Sequence, residues 1–148
     1  MLEQYRDELI SITREFSEKE LKKYKVNNLI NLSSKLHAYT DADVEELMLE
    51  LKNELSGLQS EEGFNKKRYN KTFVTMATIV KERFDLHEKG SVSGYYLSIG
   101  IALGAGIGTA LSSVLAGNIG IGIGCGVAIG AGIGNTKEKK LEEEGKIY

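Results

Sequence analysis

The sequence predicts an all-α protein: an N-terminal bundle of three or four amphipathic helices followed by a glycine-rich helical hairpin. The chain contains no proline, which favours continuous helices because proline breaks them. Charged residues make up 27% of its 148 residues, yet none occurs between Lys89 and Lys137. We therefore expect three parts: a soluble helical head over residues 1–92, a hairpin over 93–136 and a charged tail over 137–148.

In the head, apolar residues recur at steps of three and four, which places each set on one helix face. Ser17 and Glu20 fit a capping box, and Thr40 is the expected N-cap of a helix over 41–56 that stops at Gly57. About 90 residues are enough for a modest core. The predicted core sets are Leu2, Tyr5, Leu9, Ile12 and Phe16; Val26, Leu29, Ile30, Leu36 and Tyr39; Val44, Leu47, Met48, Leu51 and Leu55; and Phe73, Met76, Ile79 or Val80, and Phe84.

No stretch of the chain has the pattern of a catalytic or metal site. The two histidines, His37 and His87, lie fifty positions apart, and the single cysteine, Cys125, excludes an intrachain disulfide. A net charge of -2 gives no strong field toward nucleic acid. The charged N-terminus lacks the apolar core of a signal peptide. We expect no enzyme activity, no cofactor, no metal and no nucleic-acid partner.

The glycine-rich segment "SIGIALGAGIGTALSSVLAGNIGIGIGCGVAIGAGIG" has two alternative interpretations that its residues disfavour. A dinucleotide-binding site needs an acidic residue about 20 positions after its GxGxxG motif. The GxGxxG-like spacings of this segment are not followed by one. The alternation from Ile119 to Gly126 resembles a strand, but it fails from Val127 onward.

A period of four survives along the whole segment and predicts helices. One row contains Gly100, Gly104 and Gly108, a second contains Gly122, Gly126, Gly130 and Gly134, and a third contains Gly120, Gly124, Ala128 and Gly132. Each glycine costs a helix in water about 1 kcal/mol relative to alanine. Inside a bilayer, unpaired backbone groups are so costly that the helix is enforced. The pattern therefore predicts a membrane hairpin with helices at about 94–115 and 119–134 and a turn at 116–118.

The flanks of this segment predict its orientation. Tyr95 and Tyr96 occupy the place of interfacial aromatic anchors, and Lys89 and Lys137 bracket the hairpin. With lysines on both flanks and none in the turn, the positive-inside rule places both termini in the cytoplasm.

Two glycine rows on the second helix predict two packing faces. Gly120 and Gly122 are separated by about 200° around a helix, so their rows lie on nearly opposite sides. One face is expected to pack on the first helix and the other on a neighbouring subunit, which predicts a homo-oligomer. The predicted packing and oligomerisation residues are Gly100, Gly104, Gly108, Gly120, Gly122, Gly124, Gly126, Gly130 and Gly134.

The stretch "GIALGAGIGTALSSVLAGNIGIGIGCGVAIGAGIGNTKEKK" resembles the glycine-zipper transmembrane hairpins of small bacterial proteins. The resemblance covers under a third of the chain and does not extend to the head. It implies insertion into the bacterial cytoplasmic membrane and self-association. Some glycine-zipper proteins are pore-forming or membrane-depolarising toxins, and others are anchors.

The sequence thus predicts a non-enzymatic bacterial membrane protein whose hairpin self-associates. Its cytosolic head is expected to serve in partner binding or in regulation of the protein. The expected partners are the lipid bilayer, other copies of the chain and a cytosolic protein. One alternative is a pore-forming or membrane-disrupting effector of the toxin or phage-defence type. The other is a soluble homo-oligomer that buries the glycine segment between subunits.

Overall fold

The computed structural model describes residues 2–36, 39, 41–58, 63–111 and 119–148. Across these residues it is helical and contains no β-strand, which confirms the all-α prediction. It divides into two compact units, residues 1–86 with Tyr148 and residues 87–147. The helices are α1 (Leu2–Ile12), α2 (Glu18–Lys23), α3 (Val26–Lys35), α4 (Ala42–Gly57), α5 (Lys66–Phe84), α6 (Ser91–Ala110) and α7 (Ile119–Glu143).

The head unit has a conventional apolar core that α1, α3, α4 and α5 contribute to. Most of the predicted stripe residues are buried in it, although Tyr39 is 42% exposed. Fully burying a large apolar side chain stabilises a fold by about 1.5–3 kcal/mol, so this core suffices to hold short helices together. The core residues with no exposed surface are Leu9, Val26, Leu29, Leu32, Met48, Leu51, Leu55, Met76 and Val80.

The described head has five helices rather than three or four, because α2 is a separate short helix. Its N-terminus carries the predicted capping box, in which Glu20 N–H donates to Ser17 Oγ at 3.3 Å and Ser17 N–H donates to Glu20 Oε2 at 2.8 Å. Its end is set by Lys25, whose φ of 50° is left-handed and turns the chain before α3. The capping box is confirmed, while the left-handed lysine has no signal in the sequence.

The N-terminus of α4 is capped by Asp41, one residue after the predicted Thr40, which lies outside the described residues. Asp41 Oδ1 accepts the N–H groups of Asp43 and Val44 at 3.1 and 3.2 Å. Arg83, in the last turn of α5, donates to Asp41 Oδ2 at 2.6 Å and to Asp43 Oδ2 at 2.8 Å. The hydrogen bond from Arg83 lowers the pKa of Asp41 below its ordinary value of 3.8. One guanidinium therefore links the start of α4 to the end of α5.

This link predicts how head stability depends on pH. The folded state holds Asp41 ionised at a pH where the unfolded chain protonates it, so its contribution is full above about pH 3.8 and is lost as the pH falls through the lowered pKa. We expect Arg83→Gln to destabilise the head at pH 7 and the deficit to shrink below pH 3.8. Urea unfolding followed by circular dichroism from pH 7 downward measures this. An Arg83→Gln deficit that is the same at every pH would contradict the prediction, and Arg6→Gln on the exposed side of α1 is the control.

The hairpin unit is longer at the base than the sequence predicts. Helix α6 begins at Ser91 rather than 94, and α7 continues past Gly134 to Glu143, into the segment predicted as a tail. Lysine, glutamate and leucine are good helix formers, so the helix persists after the apolar stretch has ended. The unit itself starts at His87, whose N–H donates to the Lys146 carbonyl at 2.7 Å. Helix α6 ends at Ala110, with Leu111 as its C-cap, before the predicted end at 115. The predicted turn at 116–118 lies outside the described residues.

Candidate membrane hairpin

Seven glycines form the contact between α6 and α7, which we call the glycine seam: Gly100, Gly104, Gly108, Gly122, Gly126, Gly130 and Gly134. All seven are buried. A β-carbon added at Gly122 would lie 2.5 Å from the Gly104 carbonyl oxygen, and one at Gly130 would lie 2.5 Å from the Tyr96 carbonyl oxygen. Real β-carbons essentially never come within 3.0 Å of such atoms. The two backbones are therefore in direct contact, and only glycine fits between them.

The two rows of the seam interlock in an antiparallel register. Gly104 lies against Gly122 and Gly126, and Gly100 lies against Gly126 and Gly130. Because both rows have a period of four, Gly100 and Gly104 each fit between two glycines of α7 one helical turn apart, while Gly108 lies against Gly122 and Ile119. At the base, the added β-carbon of Gly134 would lie 2.8 Å from the Ser93 Cα, so the close approach continues to the first turn of α6.

Two of the nine predicted packing glycines, Gly120 and Gly124, lie outside the seam and are exposed. A β-carbon at Gly124, Gly106 or Gly132 would meet no atom within 4 Å. The face opposite the seam therefore has small residues with open space above them.

Large apolar side chains cover the rest of the outer surface of the hairpin. Among the described residues of α6 and α7, only glycines are fully buried, and the bulky side chains beside the seam, such as Leu97 and Ile123, are half-buried. A water-soluble monomer rarely exposes a contiguous apolar patch of more than a few hundred Å². The exposed large apolar residues of the described hairpin are Ile99, Ile101, Leu103, Ile107, Leu111, Ile119, Ile121, Ile129 and Ile133, with exposed fractions between 37% and 63%.

Glu138 links α7 to the start of α6 at the base of the hairpin, and the sequence pattern did not predict this role. Its carboxylate accepts the N–H of Gly90 at 2.7 Å and the N–H of Ser93 at 2.9 Å. Gly90 is the N-cap of α6 and has no side chain to cap with, so α7 supplies the acceptor that the first turn lacks. The only sequence signal was the absence of Ser, Thr, Asp or Asn at the N-cap position.

The four predicted anchors also lie at the base. Tyr95 is 64% exposed and packs edge-on against Tyr96, with ring centroids 5.6 Å apart. Lys137 Nζ lies 4.9 Å from the centre of the Tyr96 ring, and Lys89 Nζ lies 3.5 Å from Glu142 Oε1. Aromatic rings and lysines thus occur together where the apolar part of the hairpin ends.

Three hydroxyl groups in the described hairpin donate to carbonyls of their own helices. Ser98 donates to the Gly94 carbonyl at 2.9 Å, Thr109 to the Ala105 carbonyl at 2.8 Å and Thr136 to the Gly132 carbonyl at 2.8 Å. In a bilayer, such bonds remove the cost of an unpaired donor.

Both α6 and α7 are long and apolar enough to cross a membrane, by length and composition. In the described part of the chain, no group of three or more His, Cys, Asp or Glu could hold a metal ion. No family model, curated protein or solved structure matches this chain. The functional argument therefore depends on the geometry of the hairpin.

The seam predicts opposite effects for two neighbouring glycines. Gly126→Ala places a methyl group against the Gly100 carbonyl and should force the helices apart, whereas Gly124→Ala meets open space and should be tolerated. We expect spin labels on Cys125 and on an introduced Leu103→Cys to give one narrow distance in the parent and in Gly124→Ala. The Gly126→Ala distance should be longer and broader. An unchanged distance in Gly126→Ala would contradict the close backbone contact.

Proposed function

We propose that this chain is a non-enzymatic bacterial membrane protein. In this proposal, α6 and α7 insert as a glycine-zipper hairpin into the cytoplasmic membrane, with both termini in the cytoplasm. The hairpin anchors the chain and self-associates, and the head binds a cytosolic partner or regulates the assembly. The observation that carries the proposal is the contrast between a seam made of glycine and an outer surface made of isoleucine and leucine.

The inverted distribution of side-chain size supports lipid as the surroundings of the hairpin. In water, helices stay together by burying large apolar side chains, but this pair fully buries only glycine and exposes most of its isoleucines and leucines. In a bilayer there is no hydrophobic drive between helices, and close contact between small residues provides van der Waals attraction instead. Charged residues and tyrosines lie at the base of the hairpin, and the described apolar part carries no charge. This distribution supports insertion of the hairpin into the membrane from the side where its base remains.

The hydroxyl bonding supports an anchor in preference to a pore. Channels line their path with polar groups that remain available to ions or water. Ser98, Thr109 and Thr136 donate instead to carbonyls of their own helices. The serines at 112 and 113 and Asn118 lie outside the described residues.

The exposed small residues of α7 support self-association through the face opposite the seam. The seam row is already occupied by α6, which leaves Gly120, Gly124 and Gly132 on the outer side, together with Ala128. Small residues every four positions allow a second helix to approach closely.

The head offers an open cleft that supports a partner-binding role. Its volume is about 460 Å³, and α4 lines one side with Glu46, Glu50 and Glu54. Arg68 lies at the cleft and pairs with Glu50 at 2.7 Å and with Glu54 at 3.3 Å. A cleft with this charge pattern suits a polar protein segment rather than an apolar ligand.

Membrane insertion is tested by expressing the chain in a bacterium and washing the membranes with alkaline carbonate. We expect the chain to stay in the pellet, and tags at both ends to be digested only when protease reaches the cytoplasmic side. Recovery in the wash as a defined oligomer would favour a soluble assembly instead. Purified protein in dye-loaded vesicles should cause no leakage, and rapid leakage would favour the pore-forming alternative.

Self-association is tested by energy transfer between labelled copies in vesicles at a low protein-to-lipid ratio. Gly124→Leu should reduce transfer several-fold, because its side chain fills the open space above the outer face. Ile121→Leu, a volume-conserving change on the exposed side of α7, is the matched control and should leave transfer unchanged. Equal transfer in the parent and in Gly124→Leu would rule out this face.

A further inference from the structure

We propose that the base of the hairpin binds anionic phospholipid, through a lysine rim formed by Lys137, Lys139 and Lys140. This inference depends on the proposed membrane insertion and names the lipid class that the hairpin selects. All three lysines are exposed, and they lie within one turn of α7 directly after its apolar stretch. Phosphate groups of lipid headgroups occupy this depth when the apolar stretch spans the hydrocarbon core.

The rim is more basic than the sequence suggests, because its one carboxylate points away from it. In the sequence, Glu138 lies between Lys137 and Lys139, so the segment contains charges of both signs. In the structure, the Glu138 carboxylate accepts two N–H groups at the start of α6. Its charge is thereby directed to the helix N-terminus, where the helix dipole favours it, rather than to the lysine ammonium groups.

The lysines themselves make no ion pair within the described residues. Lys137 lies over the Tyr96 ring, which holds its ammonium group at the level of the aromatic anchors. Lys139 and Lys140 extend into solvent.

The other acidic residues at the end of α7 and directly after it are ion-paired or lie farther from the apolar stretch. Glu142 pairs with Lys89 at 3.5 Å, and Glu144 pairs with Lys146 at 3.1 Å. Glu143 is exposed, but it lies about 9 Å farther along the helix axis than Lys137. The turn nearest the membrane surface therefore presents three cations on different sides of α7.

The partner that fits this arrangement is a membrane surface rich in anionic headgroups. A lysine near such a surface contributes favourably, and several in one turn act together within a Debye length. The rim surrounds the point where the helix leaves the bilayer, so lipids next to the hairpin supply the phosphates.

The test offers the protein a choice between two vesicle populations. Full-length protein is diluted from detergent into equal amounts of neutral phosphatidylcholine vesicles and vesicles containing phosphatidylglycerol. The populations are separated by density after a carbonate wash. We expect about tenfold or greater enrichment of the parent protein on the anionic vesicles, and a loss of most of that enrichment at high salt.

Three variants assign the preference to the rim. The triple change Lys137→Gln, Lys139→Gln and Lys140→Gln should distribute nearly equally, whereas the corresponding triple change to arginine should keep the enrichment. The control removes the same charge from exposed lysines of the head through Lys66→Gln, Lys67→Gln and Lys71→Gln, and should keep it too.

The outcomes separate this inference from the proposed function. Equal carbonate-resistant insertion of the parent protein in both populations would overturn the lipid preference and leave membrane insertion standing. Undiminished enrichment of the glutamine rim variant, or lost enrichment in the head control, would also overturn the role of the rim. Absence of the protein from both populations would refute membrane insertion itself.

Discussion

The contact of two helix backbones along the glycine seam is the constraint on which the rest of the hairpin depends. Because a carbonyl of one helix occupies the place of a β-carbon on the other, no side chain can lie between them. Most large side chains of the described hairpin are therefore exposed or only half-buried beside the seam. The head follows the opposite rule, since its core contains leucine, methionine and tyrosine with almost no exposed surface. One chain thus contains two units stabilised by different physical effects.

Periodicity allowed the fold class and the seam rows to be predicted from the sequence, since the same four-residue repeat that defines a helix face also defines its packing. The end of α7 could not be predicted in the same way. Apolar residues stop at Gly134, where the periodic pattern predicts the end of the helix. Helix formation depends on backbone propensity rather than on polarity, so the charged residues after Gly134 continue it. The end of an apolar stretch therefore does not mark the end of a helix.

The features that sequence analysis missed depend on partners far apart in the chain. Arg83 reaches Asp41 across 42 positions, and Glu138 reaches Gly90 across 48. Local patterns describe which groups need a partner, such as an uncapped helix start, but not which distant residue provides it. The left-handed backbone at Lys25, which separates α2 from α3, likewise has no local signal, because lysine is not a residue type that favours this conformation.

The position of Glu138 determines when, during synthesis, the first turn of α6 obtains its cap. Synthesis adds Gly90 and Ser93 before Glu138, whose carboxylate accepts the N–H groups of both residues. Until then, the nascent α6 has neither its cap nor the glycines of its partner helix. The two helices therefore become complete together, after α7 has been synthesised and has folded back.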